Sequence, residues 1–373
     1  MSLRVFVVGA GIGGLAAARA LRIRGFAVEV VERAAGWDHS GTGIYLPANG
    51  VRALQMLGLP VGGGDGCRLE RQRILDHRGR LLVDVGLEEV WGPGAVCIAM
   101  PRQALHATLR NGTDGVPIRL GTSVESLRTG DGAVGVALSD GSSAEYDLLV
   151  GADGVHSSVR RLAFGDATPP RYVGQVSWRV VLDRMPWMPN WTVMLGRGRA
   201  FLMIPIGGDR LYCYADADVP DGQDPTRGES RRLVELFADF AEPAAGILGR
   251  IAAAAHTVHV APIEEIAPRP PVHGRVVLIG DAAHAMSPNM AEGAALAMED
   301  AVVLAEVLSR GDGLSGSLAA FERRRAGRVN WVRAQTHRRD RMRRLPPLVR
   351  NLVLRAAGAR ILKANCRPLR EAP

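Results

Sequence analysis

The stretch from Leu278 to Ala301, LIGDAAHAMSPNMAEGAALAMEDA, sets an acid, a proline and a glycine in a spacing that builds a ligand site. Val276 to Gly280 reads as a buried strand with Asp281 at its carboxyl end. Pro288 stiffens the loop that follows, and Glu292 to Leu308 has the period of a helix. This order presents a carboxylate to ribitol or ribose hydroxyls, and the free N–H groups of a helix start to an electron-rich ring edge. No Ser-His-acid set and no metal-ligand spacing stands out, so no metal is expected; His284, His256 and His259 read as structural.

Asp281 needs a nucleotide fold to hold its ligand, and the amino terminus supplies one. Leu3 to Val8 is an apolar strand, followed by Gly9-Ala10-Gly11-Ile12-Gly13-Gly14 and a helical run closing at Gly25. Phe26 to Val31 makes the next strand, and Glu32 falls where an acid accepts hydrogen bonds from the hydroxyls of an adenosine ribose. Gly9 permits the tight turn, Gly11 lets backbone approach a pyrophosphate, and Gly14 lets helix and strand pack closely. NAD and FAD share this turn, so the motif alone leaves the dinucleotide open. A third motif, GADGVHSSVR, follows the strand Tyr146 to Val150. Asp153 there is either a ligand contact or a helix cap, with Ser157 and Arg160 on a solvated turn.

In this order, Gly9 to Gly14 with Glu32, Asp153-Gly154 and Gly280-Asp281 resemble the FAD-dependent aromatic hydroxylases of the para-hydroxybenzoate and salicylate hydroxylase type. Gly41-Thr42-Gly43-Ile44 with Pro47-Ala48-Asn49, and Met100-Pro101-Arg102 with Leu105, add to the resemblance. It implies an α/β fold: a Rossmann-like FAD-binding domain (1–70, 97–170 and 263–320), an inserted substrate β-sheet domain (71–96 and 171–262) and C-terminal helices (321–373). It implies FAD as cofactor, NADH or NADPH as co-substrate, and hydroxylation of a small aromatic or polycyclic substrate with O2 through a flavin C4a-hydroperoxide.

By the same resemblance Ile12, Gly13, Arg33 and Gly43 lie along FAD, Glu32 holds the adenosine ribose, Arg102 the pyrophosphate region, and the Val124 backbone touches adenine. Asp153 serves both FAD and the passing nicotinamide, and Asp281 binds the ribitol. Pro288 sits beside the isoalloxazine, and the Gly293 and Ala294 amides stabilise negative charge on it. Three residues depart from the family pattern. Glu292 stands where a glutamine is common, and Ala295 and Leu296 where polar residues are common. An ionised Glu292 near the flavin would oppose its anionic reduced form, so it is expected to point away or to be paired.

Between Arg171 and Pro262 the pattern becomes a strand meander with a hairpin turn at Gly207-Gly208-Asp209, joined by Arg73 to Val85. Tyr212 and Tyr214 share one strand face and Leu202 and Ile204 share the facing strand's, which makes the four candidate substrate contacts or sheet core. Trp187, Met188, Trp191 and Met194 are candidates for a pocket mouth or for packing.

Glu322 to Arg344 holds ten arginines against two acids. It reads as a solvated helix face packing back on the FAD domain; nucleic acid is not expected, and an acidic carrier protein is a further reading. Two enzyme rivals remain. A flavin halogenase needs a tunnel lysine, but Lys363, the only lysine, lies too late in the chain, and Trp178 is followed by Arg179-Val180-Val181 rather than by the halogenase signature. An epoxidase, oxidase or reductase of the same fold is the alternative, and a non-catalytic binding protein the rival from another class. The 373 residues, 47% hydrophobic with a net charge of +8, have no apolar run long enough for a membrane span and no signal-peptide pattern. Cys67, Cys97, Cys213 and Cys366 lack disulfide or zinc spacing, so a cytoplasmic monomer or homodimer is expected.

Overall fold

The computed structural model describes residues 3–37, 42–61, 66–130, 132–165, 169–183, 190–219, 229–253 and 256–373. Gly41, Trp187 and Met188 lie outside them. A six-stranded sheet runs in the order Val272–His273, Val276–Leu278, Leu148–Gly151, Arg4–Val8, Ala27–Glu32, Ile118–Leu120, parallel apart from the short edge pair. All three ligand motifs therefore leave neighbouring parallel strands at the same edge, where such sheets bind ligands.

The helix Ile12–Arg22 leaves the glycine turn at this edge. A Cβ on Gly14 would sit 1.8 Å from the Gly9 carbonyl oxygen, so only glycine allows the helix to start this close to the strand. The helix Gly293–Leu308 crosses behind it and is apolar around most of its circumference, which is why nearly all of it is buried; Glu299 and Asp300 are its buried charged exceptions. Its Ala297 meets the position a Cβ on Gly13 would take at 3.4 Å.

The second sheet has seven strands: His259–Glu265, Arg171–Asp183, Arg210–Asp218, Arg199–Pro205, Trp191–Leu195, Arg71–Asp76, Leu81–Gly86. The expected pairing of 73–85 with the meander is present, through a parallel contact of Arg71–Asp76 with Trp191–Leu195. Gly207, Gly208 and Asp209 all take positive φ in the expected hairpin turn. A helix of 32 residues, Gly313–Arg344, and one of 20, Pro347–Cys366, complete the chain. The first packs on Gly293–Leu308 and the second on Leu81–Gly86, so the carboxyl-terminal helices bridge both sheets.

Gly14→Ala is expected to lower the unfolding free energy by about 2 kcal/mol or more, since backbone must move to admit the methyl group. Urea unfolding checks this; an unchanged midpoint would contradict the packing.

Candidate active site

The glycine turn and its acid are locked together before any ligand arrives. Glu32 accepts hydrogen bonds from the Ala10 N–H at 2.7 Å and the Ala34 N–H at 2.9 Å, and the His106 imidazole meets the Ala10 carbonyl at 2.8 Å. Among the described residues beyond its chain neighbours and the helix backbone, nothing lies within 4 Å of where a Cβ on Gly11 would point. That open space at a helix start is the cradle a pyrophosphate requires, and the residues present fit FAD there. Gly9, Ile12, Gly13 and Gly14 form the same turn. Arg33 is exposed beside Glu32, and Val124 is the buried first residue of a largely exposed strand, two residues from Thr122, whose N–H donates to the Glu32 carbonyl.

Asp153 is bonded to a helix start, as in the capping reading, from the turn before it. Its carboxylate accepts from the Ser158 N–H and hydroxyl and from the Val159 N–H, at the start of the helix Ser158–Phe164. The accompanying solvated-turn expectation fails: Ser157 is buried and is the N-cap, its hydroxyl accepting from the Arg160 N–H, and Arg160 is buried too. Its guanidinium donates to the carbonyls of Ala282 and Val155, tying this motif to the Gly280-Asp281 motif.

A cavity of about 1140 Å³ opens at the carboxyl edge of the first sheet and runs under the second. Gly43, Arg102, Asp281, Pro288, Gly293 and Ala294 line its cofactor end. Asp281 is exposed at the strand end, and among the described residues outside the helix's own backbone a Cβ on Gly293 would meet the Asp281 Oδ1, at 3.9 Å, and nothing nearer. The helix start therefore faces open space with unpaired N–H groups, which suits an electron-rich ring edge. Gly43 joins the two ends: a Cβ there would lie 2.4 Å from the Tyr212 ring, so its absence brings the substrate sheet against the cofactor wall.

Leu202, Ile204, Tyr212 and Tyr214 all line this cavity. Leu202 pairs with Tyr214 across the hairpin and Ile204 with Tyr212. The sequence reading missed the remainder of the row. In register across the sheet stand His259, Arg179, Tyr214, Leu202, Val193 and Ile74, and all six face the cavity. His259 is thus a wall residue, contrary to the expectation of a purely structural role, because its strand joins the sheet beside Arg179. The signal available was the alternation of Arg179 with Trp178 and Val180, which are buried on the opposite face. Trp191 lines the cavity, whereas Met194 is fully buried in the core behind the sheet.

The tyrosines stay protonated and can serve as hydrogen-bond donors rather than bases. Burial pushes the Tyr212 phenol up to about 12, with Arg179 opposing, and pushes Tyr214 well above its ordinary value. Burial also raises the thiols, Cys97 to about 11 and Cys366 to about 12, which leaves them without nucleophilic character.

Behind the cavity lies a buried ionic chain. Asp300 accepts from the Gly280 N–H at 2.9 Å, His284 at 2.7 Å and Arg325 at 2.6 Å. Glu299 pairs with Arg325 at 3.0 Å and Arg328 at 2.7 Å, and accepts from Asn49, which also donates to Glu292 at 2.8 Å. Burial would raise the Asp300 pKa, but His284 and Arg325 outweigh it and hold the carboxyl at about 2. His284 thus has the structural role expected.

Glu292 is paired, as expected, through the hydrogen bond it accepts from Asn49. Burial pushes its carboxyl up to about 8, against the Asn49 hydrogen bond, so at pH 7 it is a neutral, near-isosteric stand-in for glutamine. The apolar departures have a packing cause: Ala295 and Leu296 are fully buried, and Ala295 meets the position of a Gly50 Cβ at 3.0 Å. The arginine-rich helix packs back on the nucleotide fold as expected and also reaches the second sheet; Arg323, Arg338, Arg341 and Arg344 are exposed, but not all of its arginines are solvated. Arg325 and Arg343 are both buried, and Arg343 pairs with Asp216.

Among the described residues no cluster of metal-ligating side chains occurs, and no helix is long and apolar enough to cross a membrane. A dinucleotide turn, a carboxylate at a second strand end and a cavity under a substrate sheet define a flavoprotein of the hydroxylase type. The family model "FAD binding domain" matches residues 2–336. The 2-heptyl-3-hydroxy-4(1H)-quinolone synthase of Pseudomonas aeruginosa is 36% identical over 90% of this chain and 88% of its own length. The FAD-dependent urate hydroxylase of Klebsiella pneumoniae is 31% identical over 88% and 87%. The structure of Klebsiella pneumoniae HpxO complexed with FAD and uric acid matches with a TM-score of 0.87 and 28% identity, covering 100% of this chain and 97% of that one. The chain belongs to the FAD-dependent aromatic hydroxylase family.

Two outcomes test this electrostatic picture. Arg325→Met leaves two buried carboxylates without their shared cation and is expected to cost about 3–5 kcal/mol in chemical unfolding; a loss under about 1 kcal/mol would contradict it. For Glu292 the folded pKa lies above the ordinary 4.5, so its stabilising contribution is complete below about 4.5 and disappears as pH rises through about 8. Glu292→Gln should abolish that decline, on the order of a few kcal/mol by about pH 9, while sharing the parent's flavin midpoint potential at pH 7. Equal pH slopes in parent and variant would count against a neutral Glu292.

Proposed function

We propose that the protein is an FAD-dependent monooxygenase that uses NAD(P)H and O2 to hydroxylate an oxygen-bearing aromatic or heteroaromatic ring carrying an apolar tail. The cross-strand row supports this reading. Its polar end, His259, Arg179 and Tyr214, gives way along the same face to Leu202, Val193 and Ile74. Beyond Ile74 the cavity continues along Leu354, Ile361 and Leu362 of the last helix. One end suits a ring oxygen; the other suits hydrocarbon.

Bound FAD supplies the redox chemistry, accepting hydride from NAD(P)H and activating O2. The balance is ring C–H plus O2, NAD(P)H and a proton, giving ring C–OH, water and NAD(P)+. Asp281 and Glu32 hold the cofactor's hydroxyls, Arg102 its phosphates, and the Gly293 and Ala294 N–H groups favour negative charge at its ring edge. Arg179, whose guanidinium lies 5.9 Å from the Tyr214 ring centroid, fixes the substrate oxygen with the protonated tyrosines as donors. The apolar wall excludes water and aligns the ring with the cofactor edge.

A heptyl-bearing quinolone stands in the name of the Pseudomonas aeruginosa relative, and such a molecule has the polarity the row would read. None of the four cysteines forms a disulfide, which fits a reducing compartment, the cytoplasm. With Arg325, Arg328 and Arg343 engaged inside the chain, a free substrate suits the basic helix better than an acidic carrier.

The test is a panel of oxygen-bearing ring compounds, with and without alkyl tails, assayed for NAD(P)H oxidation and product mass under labelled O2. Tailed rings should gain one labelled oxygen, and Arg179→Met should lower kcat/KM by about tenfold or more. Oxidation that yields only peroxide with every compound would overturn the reading.

A further inference from the structure

We infer that the start of the last helix is a docking surface for an anionic lipid bilayer, through which the apolar tail of the substrate reaches the cavity. Seven large hydrophobic side chains are exposed among the described residues, and four of them, Leu345, Leu348, Val349 and Leu352, fall within eight positions. On the helix Pro347–Cys366 they form one stripe, with Leu345 capping it. The opposite face is anchored: Arg350 is fully buried and donates to the carbonyls of Leu195 and Gly196, and a Cβ on Gly358 would lie 2.3 Å from Val83. The stripe is therefore presented on a fixed helix. An exposed stripe on a well-seated helix marks a contact surface.

Charge selects the occupant. From Arg341 to Arg370 the chain carries no acid and nine basic residues, of which Arg343 and Arg350 are buried. Arg341 and Arg344, the latter also paired with Asp218, are exposed before the stripe, and Arg355 and Arg360 after it. A second copy docked on this face would set arginines against arginines. Anionic headgroups complement them, and long arginine side chains reach headgroups while leucines enter the acyl boundary. Apolar insertion and a basic patch are the two signals that together give stable binding at a bilayer surface.

The stripe also opens on the active site. Arg341, Met342 and Leu345 at its edge, and Leu354 and Ile361 on the same helix, line the cavity. A tail leaving the bilayer at Leu345 enters the apolar end of the cross-strand row first. This use of the surface rests on the tailed substrate proposed above, but its existence does not, since bilayer binding requires no turnover.

The experiment is co-sedimentation of the full FAD-bound protein with vesicles of phosphatidylglycerol and phosphatidylethanolamine, and with vesicles of phosphatidylcholine alone. The parent should bind the anionic vesicles, release partly at high salt, and bind phosphatidylcholine weakly. Leu348→Glu with Leu352→Glu, both outside the cavity, should lower the partition about tenfold while retaining flavin absorbance, thermal stability and NAD(P)H oxidation with a tailless ring. Failure of the parent to bind anionic vesicles, or equal binding by the double variant, would overturn the proposal. So would a parent dimer in sedimentation velocity that the double variant converts to monomer, because the stripe would then be a subunit interface. If bilayer binding holds while every tailed ring fails as substrate, the surface stands and the proposed function falls.

Discussion

Two carboxylates in the middle of an apolar helix hold this molecule together. Glu299 and Asp300 lie in Gly293–Leu308, where every other buried side chain is apolar, and neither is viable there without a partner. Arg325 supplies it from the next helix, bridging both acids at hydrogen-bond distance. What remains of their hydrogen-bonding capacity is turned toward the active site. Asp300 fixes the Gly280 N–H and His284, so the strand end carrying Asp281 is set from behind. Glu299 fixes Asn49, and Asn49 fixes Glu292 at the start of the helix whose amides face the cofactor edge. The buried charge thus positions both ends of one ligand wall.

The same constraint accounts for the basic carboxyl-terminal helix. Its arginines look like a solvated face or a partner surface in sequence, because composition does not reveal which of them meet buried acids. Arg325, Arg328 and Arg343 are internal ties, to Glu299, Asp300 and Asp216. Exposed arginines, Arg341, Arg355 and Arg360, also flank the stripe of Leu348 and Leu352.

The nucleotide fold was legible in the sequence because its requirements are local. A tight turn, a close helix approach and an acid at a strand end each demand a residue type at a fixed spacing, and Gly9 to Gly14, Glu32 and Asp281 supply them. The hairpin pair Leu202–Tyr214 and Ile204–Tyr212 was legible for the same reason, through strand alternation around a marked turn. The polar half of the cavity was not, since Arg179 and His259 come from strands some eighty residues apart that meet only through register. Nor was the charge state of Glu292, which depends on burial and on Asn49, far away in sequence. Asp153 lies between these cases: its bonds to the helix start are local and match one of the two readings the motif allowed, while the burial of Arg160 against Ala282 had no local signal.

A polar end and an apolar end on one sheet row give the site a direction, and that direction is the centre of this account. Flavin difference absorbance reads it most directly, by titrating the FAD-bound protein with a series of one oxygen-bearing ring whose alkyl tail lengthens by single methylenes. The account predicts that affinity rises by about fourfold per methylene until the tail outgrows the cavity, and then levels off. Affinity independent of tail length would contradict it.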